Sequence, residues 1–310
     1  MFMEKKAEAF ENMSVVDKIF STETSKNFAE KLTGMTSMHG FSPVGEGGAY
    51  PKDEMQEGYS KVIQHETFKD SFAITQEMVE DSKVMNLKQK PTAFLTGYYR
   101  TRELFGAAML GAAVQGKSYM TFRGKAFDTA ANDGLALFST AHTSVTGGTA
   151  NQSNIFTNAF SVDALARVEA SMQDFKDDNG NILAVIPDTI IIPNNADLKK
   201  AVFAAIGADK DPDTANNGFN FQFGRWNVIV WSYLNQFIGP VSAPWMLMSS
   251  QYNEDYKTAV WYDRVKLAVT SYIDQNTDDN VWKGRARLSA GFNDWRGIAL
   301  GGASSGTTLS

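Results

Sequence analysis

Cysteine is absent from this 310-residue chain. That excludes disulfides, zinc–thiolate centres and thiol nucleophiles, and it agrees with assembly in a reducing compartment. Histidine is scarce. His39, His65 and His142 lie far apart, without a second ligand at helical or hairpin spacing, so no metal site is expected and the rings are expected to be solvated or at an interface. Nowhere do about 18 uncharged apolar residues run together, and Lys5 and Lys6 are followed by no apolar core. Neither membrane spanning nor export by an amino-terminal signal is expected. The formal charge of −6, with no basic stripe among aromatics, argues against a dedicated nucleic-acid binder and leaves room only for a small local basic face.

What the chain does contain is an ordinary globular mixture, 43% hydrophobic and 21% charged, in a length that suits a two-lobed subunit. Its most informative stretch is Gln76 to Gly116. Val79, Leu87, Phe94, Tyr98, Leu104, Phe105, Ala108 and Met109 recur at roughly helical spacing among charged residues, which predicts an exceptionally long helix. Thr75 is placed to cap it, and Glu77, Glu80 and Asp81 supply negative charge where the macrodipole favours it. Pro91 removes an amide donor, so a kink or break is expected near Lys90, with a second helical piece over Thr92–Ala113. Gly106, Ala107, Ala108, Gly111, Ala112 and Ala113 let another backbone approach closely.

Around this helix the pattern is mixed. Phe10–Leu32 reads as a short helix or an arm docking elsewhere. Gly40–Pro51 is too rich in glycine and proline for regular helix. Tyr59–Ile74 reads as an exposed hairpin turning at Lys69-Asp70-Ser71. Tyr119–Asn158 reads as surface loop with short strands. Ser161 caps a helix through Phe175, stopped at Asp177-Asp178-Asn179-Gly180. Thr189–Ile192, between Pro187 and Pro193, reads as a strand buried on both faces. Asn194 or Asn195 then caps a helix ending at Gly207, and Trp226–Tyr233 supplies the next strand, completing an α/β unit. Trp245–Ser249, broken antiparallel strands over Ala259–Ile273, and Arg285–Asn293 follow. The tail after Gly301 reads as flexible.

Catalytic signals fail one by one. Asp209, Asp211 and Asp213 imitate a calcium loop, but Thr214 stands where glycine is needed and Asn220 where glutamate is needed. Gly45, Gly47 and Gly48 have neither the leading strand nor the following helix of a phosphate loop, and read as a hinge. Ser42 and Ser139 lack the glycines of a nucleophile elbow, and nothing marks His142 as a base. No catalytic, cofactor-binding or metal-binding residue is assigned, and no cofactor is expected.

The order of elements resembles the HK97-like major capsid protein fold of tailed bacteriophages, and within it the Mu-like major head subunit family. The likeness is carried by Tyr59-Ser-Lys-Val-Ile-Gln-His-Glu-Thr-Phe-Lys-Asp-Ser-Phe-Ala-Ile-Thr-Gln-Glu-Met-Val-Glu-Asp81, by Asp133-Gly-Leu-Ala-Leu-Phe-Ser-Thr-Ala-His142, and by Pro187-Asp-Thr-Ile-Ile-Ile-Pro-Asn194. The resemblance implies an α+β fold with an N-terminal arm (1–39), an E-loop hairpin (40–74), a P-domain with a long spine helix (75–187), an α/β A-domain (188–244), and returning P-domain strands with a C-terminal tail (245–310). His142 would belong to a structural motif in a P-domain loop.

The same resemblance implies a non-enzymatic subunit that self-assembles as pentamers and hexamers into an icosahedral shell around double-stranded DNA, with no membrane involved. The DNA would meet the inner surface non-specifically. Portal and decoration proteins are implied as partners, and the absence of a long fused amino-terminal scaffolding region implies a separate scaffold protein. Assembly would take place in the bacterial host cytoplasm and end in the virion capsid. An encapsulin-like compartment and a soluble α/β enzyme are the alternatives that the residues leave open.

Overall fold

The computed structural model describes residues 2–38, 40–81, 84–207, 220–241 and 243–309. In chain order the elements are α1 (Phe2–Asn12), α2 (Val16–Ile19), β1 (Ser21–Thr24), β2 (Ala29–Met35), β3 (Glu57–Gln64), β4 (Glu66–Ile74), α3 (Gln76–Glu80), α4 (Val84–Val114), β5 (Tyr119–Phe122), β6 (Lys125–Asp128), α5 (Val162–Gln173), β7 (Thr189–Pro193), α6 (Ala196–Gly207), β8 (Asn227–Trp231), β9 (Trp245–Met248), α7 (Ser250–Tyr256), β10 (Ala259–Ile273), β11 (Asn280–Phe292) and β12 (Ile298–Gly301). They fall into two compact units. The first comprises Met1–Glu30, Ile63–Ala107 and Ala259–Gly291; the second comprises Lys31–Val62, Ala108–Thr258 and Phe292–Ser310.

The first unit is a sheet ordered β1-β10-β11-β4 with a helix on one face. Period-2 alternation decides which side chains meet that helix. Phe68 and Phe72 of β4 reach Phe105 and Phe94 of α4 at ring separations of 5.9 and 5.1 Å, and Trp261 of β10 meets Phe105 at 5.7 Å. Arg102 is buried beside them, its guanidinium 5.0 Å above Trp261 and paired with Asp17 at 2.6 Å and Asp263 at 3.5 Å. In the segment read as a short helix or an arm docking elsewhere, the short helix α2 is present. Val16, Ile19 and Phe20 are buried, and Glu103 accepts the hydroxyl of Ser14 and the amides of Val15 and Val16.

Three expectations fail here. The long helix does not break near Lys90: α4 is continuous through Pro91. Proline withdraws one donor, but Phe94, Leu95 and Tyr99 in the turns that follow are buried, and packing outweighs the single lost bond. The interruption among the described residues falls earlier, at Asp81, a turn that ends α3. Thr75 does cap α3, accepting the amide of Met78 at 3.3 Å. Nor do Lys69-Asp70-Ser71 form a turn. They lie mid-strand in β4, opposite Arg285, Gly284 and Lys283 of β11. The β-branched run at 59–74 is two strands, β3 and β4, and β3 pairs with β2 instead of β4. β10, expected as broken strands, is one strand of 15 residues.

His65, between β3 and β4, is buried, not solvated. Its Nε2 lies 2.8 Å from the Ser25 hydroxyl and its Nδ1 2.9 Å from that of Ser289, so the neutral ring is satisfied in either tautomer. Burial, reinforced by Arg264 and Arg287 against the opposing charge of Glu30, holds the imidazole below its usual 6.5. The unfolded chain therefore binds this proton more readily than the folded one. The stability that His65 contributes is present above about pH 6.5 and is lost as pH falls below it. Thermal unfolding is expected to shift downward between about pH 7.5 and about pH 5.5, and His65→Gln is expected to flatten that dependence. An unchanged slope in the variant would remove His65 as its source.

The second unit is built on a sheet ordered β12-β9-β7-β8, with β7 parallel to β8 and antiparallel to β9. Every residue of β7 is buried, as its uninterrupted apolar run predicts. Asn195, not Asn194, caps α6 by accepting the amides of Asp197 and Leu198, and Ser161 caps α5 by accepting that of Ala164. Gly111, near the end of α4, has no room for a Cβ because the backbone of Phe237 lies against it, which gives the small-residue stripe a specific partner. The tail read as flexible is tied down: Thr307 N donates to Ile155 O at 3.0 Å, and Thr157 N donates to Thr307 O at 3.0 Å.

Candidate assembly interface

β2 and β3 form a two-stranded ladder whose connection, residues 36–56, is closed at its base by Thr36 N donating to Gln56 O at 2.9 Å. Beyond that base, residues 40–52 are all exposed. Gly47 sits at φ +78°, and Gly48 N donates to Gly45 O at 2.9 Å, so the glycines read as a hinge make a tight turn. The loop nevertheless carries large apolar side chains. Phe41 is 110% and Tyr50 95% exposed, and Val44 and Met38 are more than half exposed. An isolated two-stranded ribbon is marginal in water, and Phe41 and Tyr50 gain almost no burial from their own unit. His39 lies outside the described residues.

The sequence points less directly to the arrangement around His142. This ring is buried, contrary to the solvated or interfacial placement expected. Its Nδ1 is 2.6 Å from Asp133 Oδ2, its Nε2 3.2 Å from Asn154 Oδ1, and it stacks on Trp295 at 4.3 Å. Asn154 is itself fully buried. Its Nδ2 donates to the carbonyls of Leu137, Trp295 and Ile298, which fixes its Oδ1 as the acceptor of both His142 Nε2–H and the Ser139 amide. Among the described residues no hydroxyl is hydrogen-bonded to this ring, and Ser139 enters through its backbone. The Phe138–His142 motif therefore pins a loop. Ser42 is on the exposed loop. Asp209, Asp211, Asp213 and Thr214 lie outside the described residues, and among the described residues no group of three or more His, Asp or Glu could hold a metal ion.

Solved structures sharing this architecture define its class. The match to a chain of Microbacterium phage Oxtober96 has a TM-score of 0.53 at 10% identity, covering 96% of this chain and 91% of that one. Mycobacterium phage Bobi gives 0.52 at 13% identity over 95% and 91%, and the capsid structure of the Cyanophage P-SCSP1u gives 0.53 at 8% identity over 95% and 89%. The fold is the α+β, HK97-like capsid fold. A family model described as phage capsid protein matches residues 58–300, and the chain belongs to that family. It is a major capsid protein, a structural and non-enzymatic subunit of the shell of a bacteriophage virion. No curated protein matches it in sequence. Among the described residues no helix is long and apolar enough to cross a membrane.

Proposed function

We propose that this subunit forms pentamers and hexamers that close into an icosahedral shell around double-stranded DNA, assembled in the host cytoplasm on a separate scaffold protein and completed with portal and decoration proteins. The DNA meets the inner surface without sequence preference. The three segments quoted above support a place among the Mu-like head subunits. In this reading the β2–β3 ribbon with residues 36–56 is the E-loop, α4 the spine, and residues 188–244 the A-domain. This moves the E-loop's first strand back from Gly40 to Ala29 and transfers β4 to the P-domain sheet, because β4 pairs with β11.

The observation that carries the reading is the ribbon itself: a loop bearing Phe41 and Tyr50 in full exposure is costly for a lone subunit and is resolved when a neighbour covers it. Co-expression with a cognate scaffold, followed by light scattering and negative-stain microscopy, is expected to show closed particles with five- and six-fold capsomers. A compact monomer at all concentrations would overturn it.

A further inference from the structure

β10 runs for 15 residues, with β11 along one side of it. On the other side β1 pairs only with residues 260–263, and the last bond there runs from Ser25 N to Asp263 O at 3.3 Å. Among the described residues no strand takes up the outer edge over 264–273. That stretch holds neither proline nor glycine and alternates cleanly: Val265, Leu267 and Val269 are half-buried, and Lys266, Ala268, Thr270 and Tyr272 are exposed. A depression of about 780 Å³ lies on the β1 side, walled by Thr22, by Leu95 and Tyr98 of α4, and by Lys266, Leu267 and Val269.

A long unpaired edge is a template for another strand, and proteins blunt such edges with proline, a bulge or a short strand. Here the two cations, Arg264 and Lys266, stand together at one end, and Asp274, Asp278 and Asp279 of the turn stand at the other. That polarity suits an antiparallel copy of the same edge. Two antiparallel strands related by a two-fold axis normal to the sheet keep their faces, so even positions meet even positions and odd meet odd. β1 closes the edge before Arg264 and the turn begins after Ile273, so the register that fills it puts the axis on Val269. Val265 then lies opposite Ile273 and Leu267 opposite Ser271 on the α4 side, with Lys266 opposite Tyr272 and Ala268 opposite Thr270 on the other. Set by length and facing alone, this register also brings Arg264 opposite Asp274 on both sides of the axis. Opposed charges and a cation against an aromatic ring both favour a strand pair.

We infer that the free edge of β10 pairs with the same edge of a second copy of this chain across a two-fold axis at Val269, joining two four-stranded sheets into one continuous sheet. The contact is isologous, each copy offering the same patch. In an icosahedral shell two-fold axes relate subunits of adjacent capsomers, so the pairing fastens one capsomer to the next. Its place between capsomers rests on the shell reading above, whereas the pairing itself does not.

Cysteine trapping in the full chain tests it, because the protein has no thiol of its own. In this register Val269→Cys meets its own copy at a Cα separation of about 4.5–5.5 Å, within disulfide reach, whereas Leu267→Cys lies on the order of 14 Å from its copy. Under mild oxidation of assembled or concentrated protein, Val269→Cys is expected to give roughly tenfold more reducible dimer than Leu267→Cys. If Val269→Cys does not fold, the exposed positions replace it: Ala268→Cys and Thr270→Cys are expected to dimerise when mixed far more than either does alone. On the Val269→Cys background, Arg264→Asp or Asp274→Arg is expected to lower the dimer yield about fivefold, and the two together to restore it. Equal yields at positions 267 and 269 overturn the pairing, and so does a charge exchange without recovery. Closed particles in which Val269→Cys stays monomeric overturn the pairing and leave the shell reading intact. Dimer from subunits that never close into particles supports the pairing and overturns its place between capsomers.

Discussion

Replacing residues 40–52 by a short Gly-Ser linker is expected to leave the free subunit folded and to abolish shell closure. The two halves of this result have different causes. All thirteen of those residues are exposed, and the ladder below them is closed by the Thr36–Gln56 bond outside the replaced stretch, so the free subunit loses almost no buried surface. Surface changes of this kind move stability by only about 0.5 kcal/mol, a shift near the resolution of a melting experiment. In the shell the account reverses. Burying Phe41 and Tyr50 against a neighbour would contribute roughly 2–3 kcal/mol for each ring, repeated at every lateral contact, against the entropy of ordering one loop. A yield of closed particles near wild type, or an unfolded free subunit, would show that this loop does not play the part assigned to it.

What could be read from the sequence was mostly what is decided within a few residues. The caps at Thr75, Ser161 and Asn195 follow from a side-chain oxygen reaching an amide two or three positions on, and the chain between cap and amide is all the information needed. β7 was legible because a wholly apolar run between two prolines has few other fates. Lys69-Asp70-Ser71 has turn chemistry, but its conformation is set by β11, more than two hundred positions away, and a register of that range leaves no local trace. The same holds for the charges along β11: their alternation is visible at Lys283, Arg285 and Arg287, whereas the opposition of Lys69 and Arg285 appears only once the strands are paired. Pro91 was misjudged because the rule for an isolated helix omits the burial of Phe94 and Leu95 behind it. The exposure of Phe41 and Tyr50 was the least legible feature of all, since an aromatic residue in a sequence looks the same whether it is buried or waiting to be.

The second large effect is expected at Asn154, and it concerns the fold of the subunit instead of its assembly. Its amide accepts from the Ser139 backbone at 3.0 Å and the His142 ring at 3.2 Å, and donates to Leu137 O at 2.8 Å, Ile298 O at 3.1 Å and Trp295 O at 3.3 Å. Asn154→Ala removes all five contacts with no water to replace them, since the residue is 0% exposed. Each stranded buried group costs about 1–3 kcal/mol, tempered by local relaxation, so a loss of roughly 3–5 kcal/mol is expected. For a cooperative unit of this size that corresponds to a fall in melting temperature on the order of 10 °C. Asn154→Asp sharpens the test: it keeps the acceptor for Ser139 and His142 but turns an oxygen towards three carbonyls, so it should destabilise at least as much as alanine despite its closer shape. Differential scanning calorimetry of both variants decides the matter. Melting within about 2 °C of wild type for either one would mean that Asn154 does not hold the Phe138–His142 loop to the 295–298 segment.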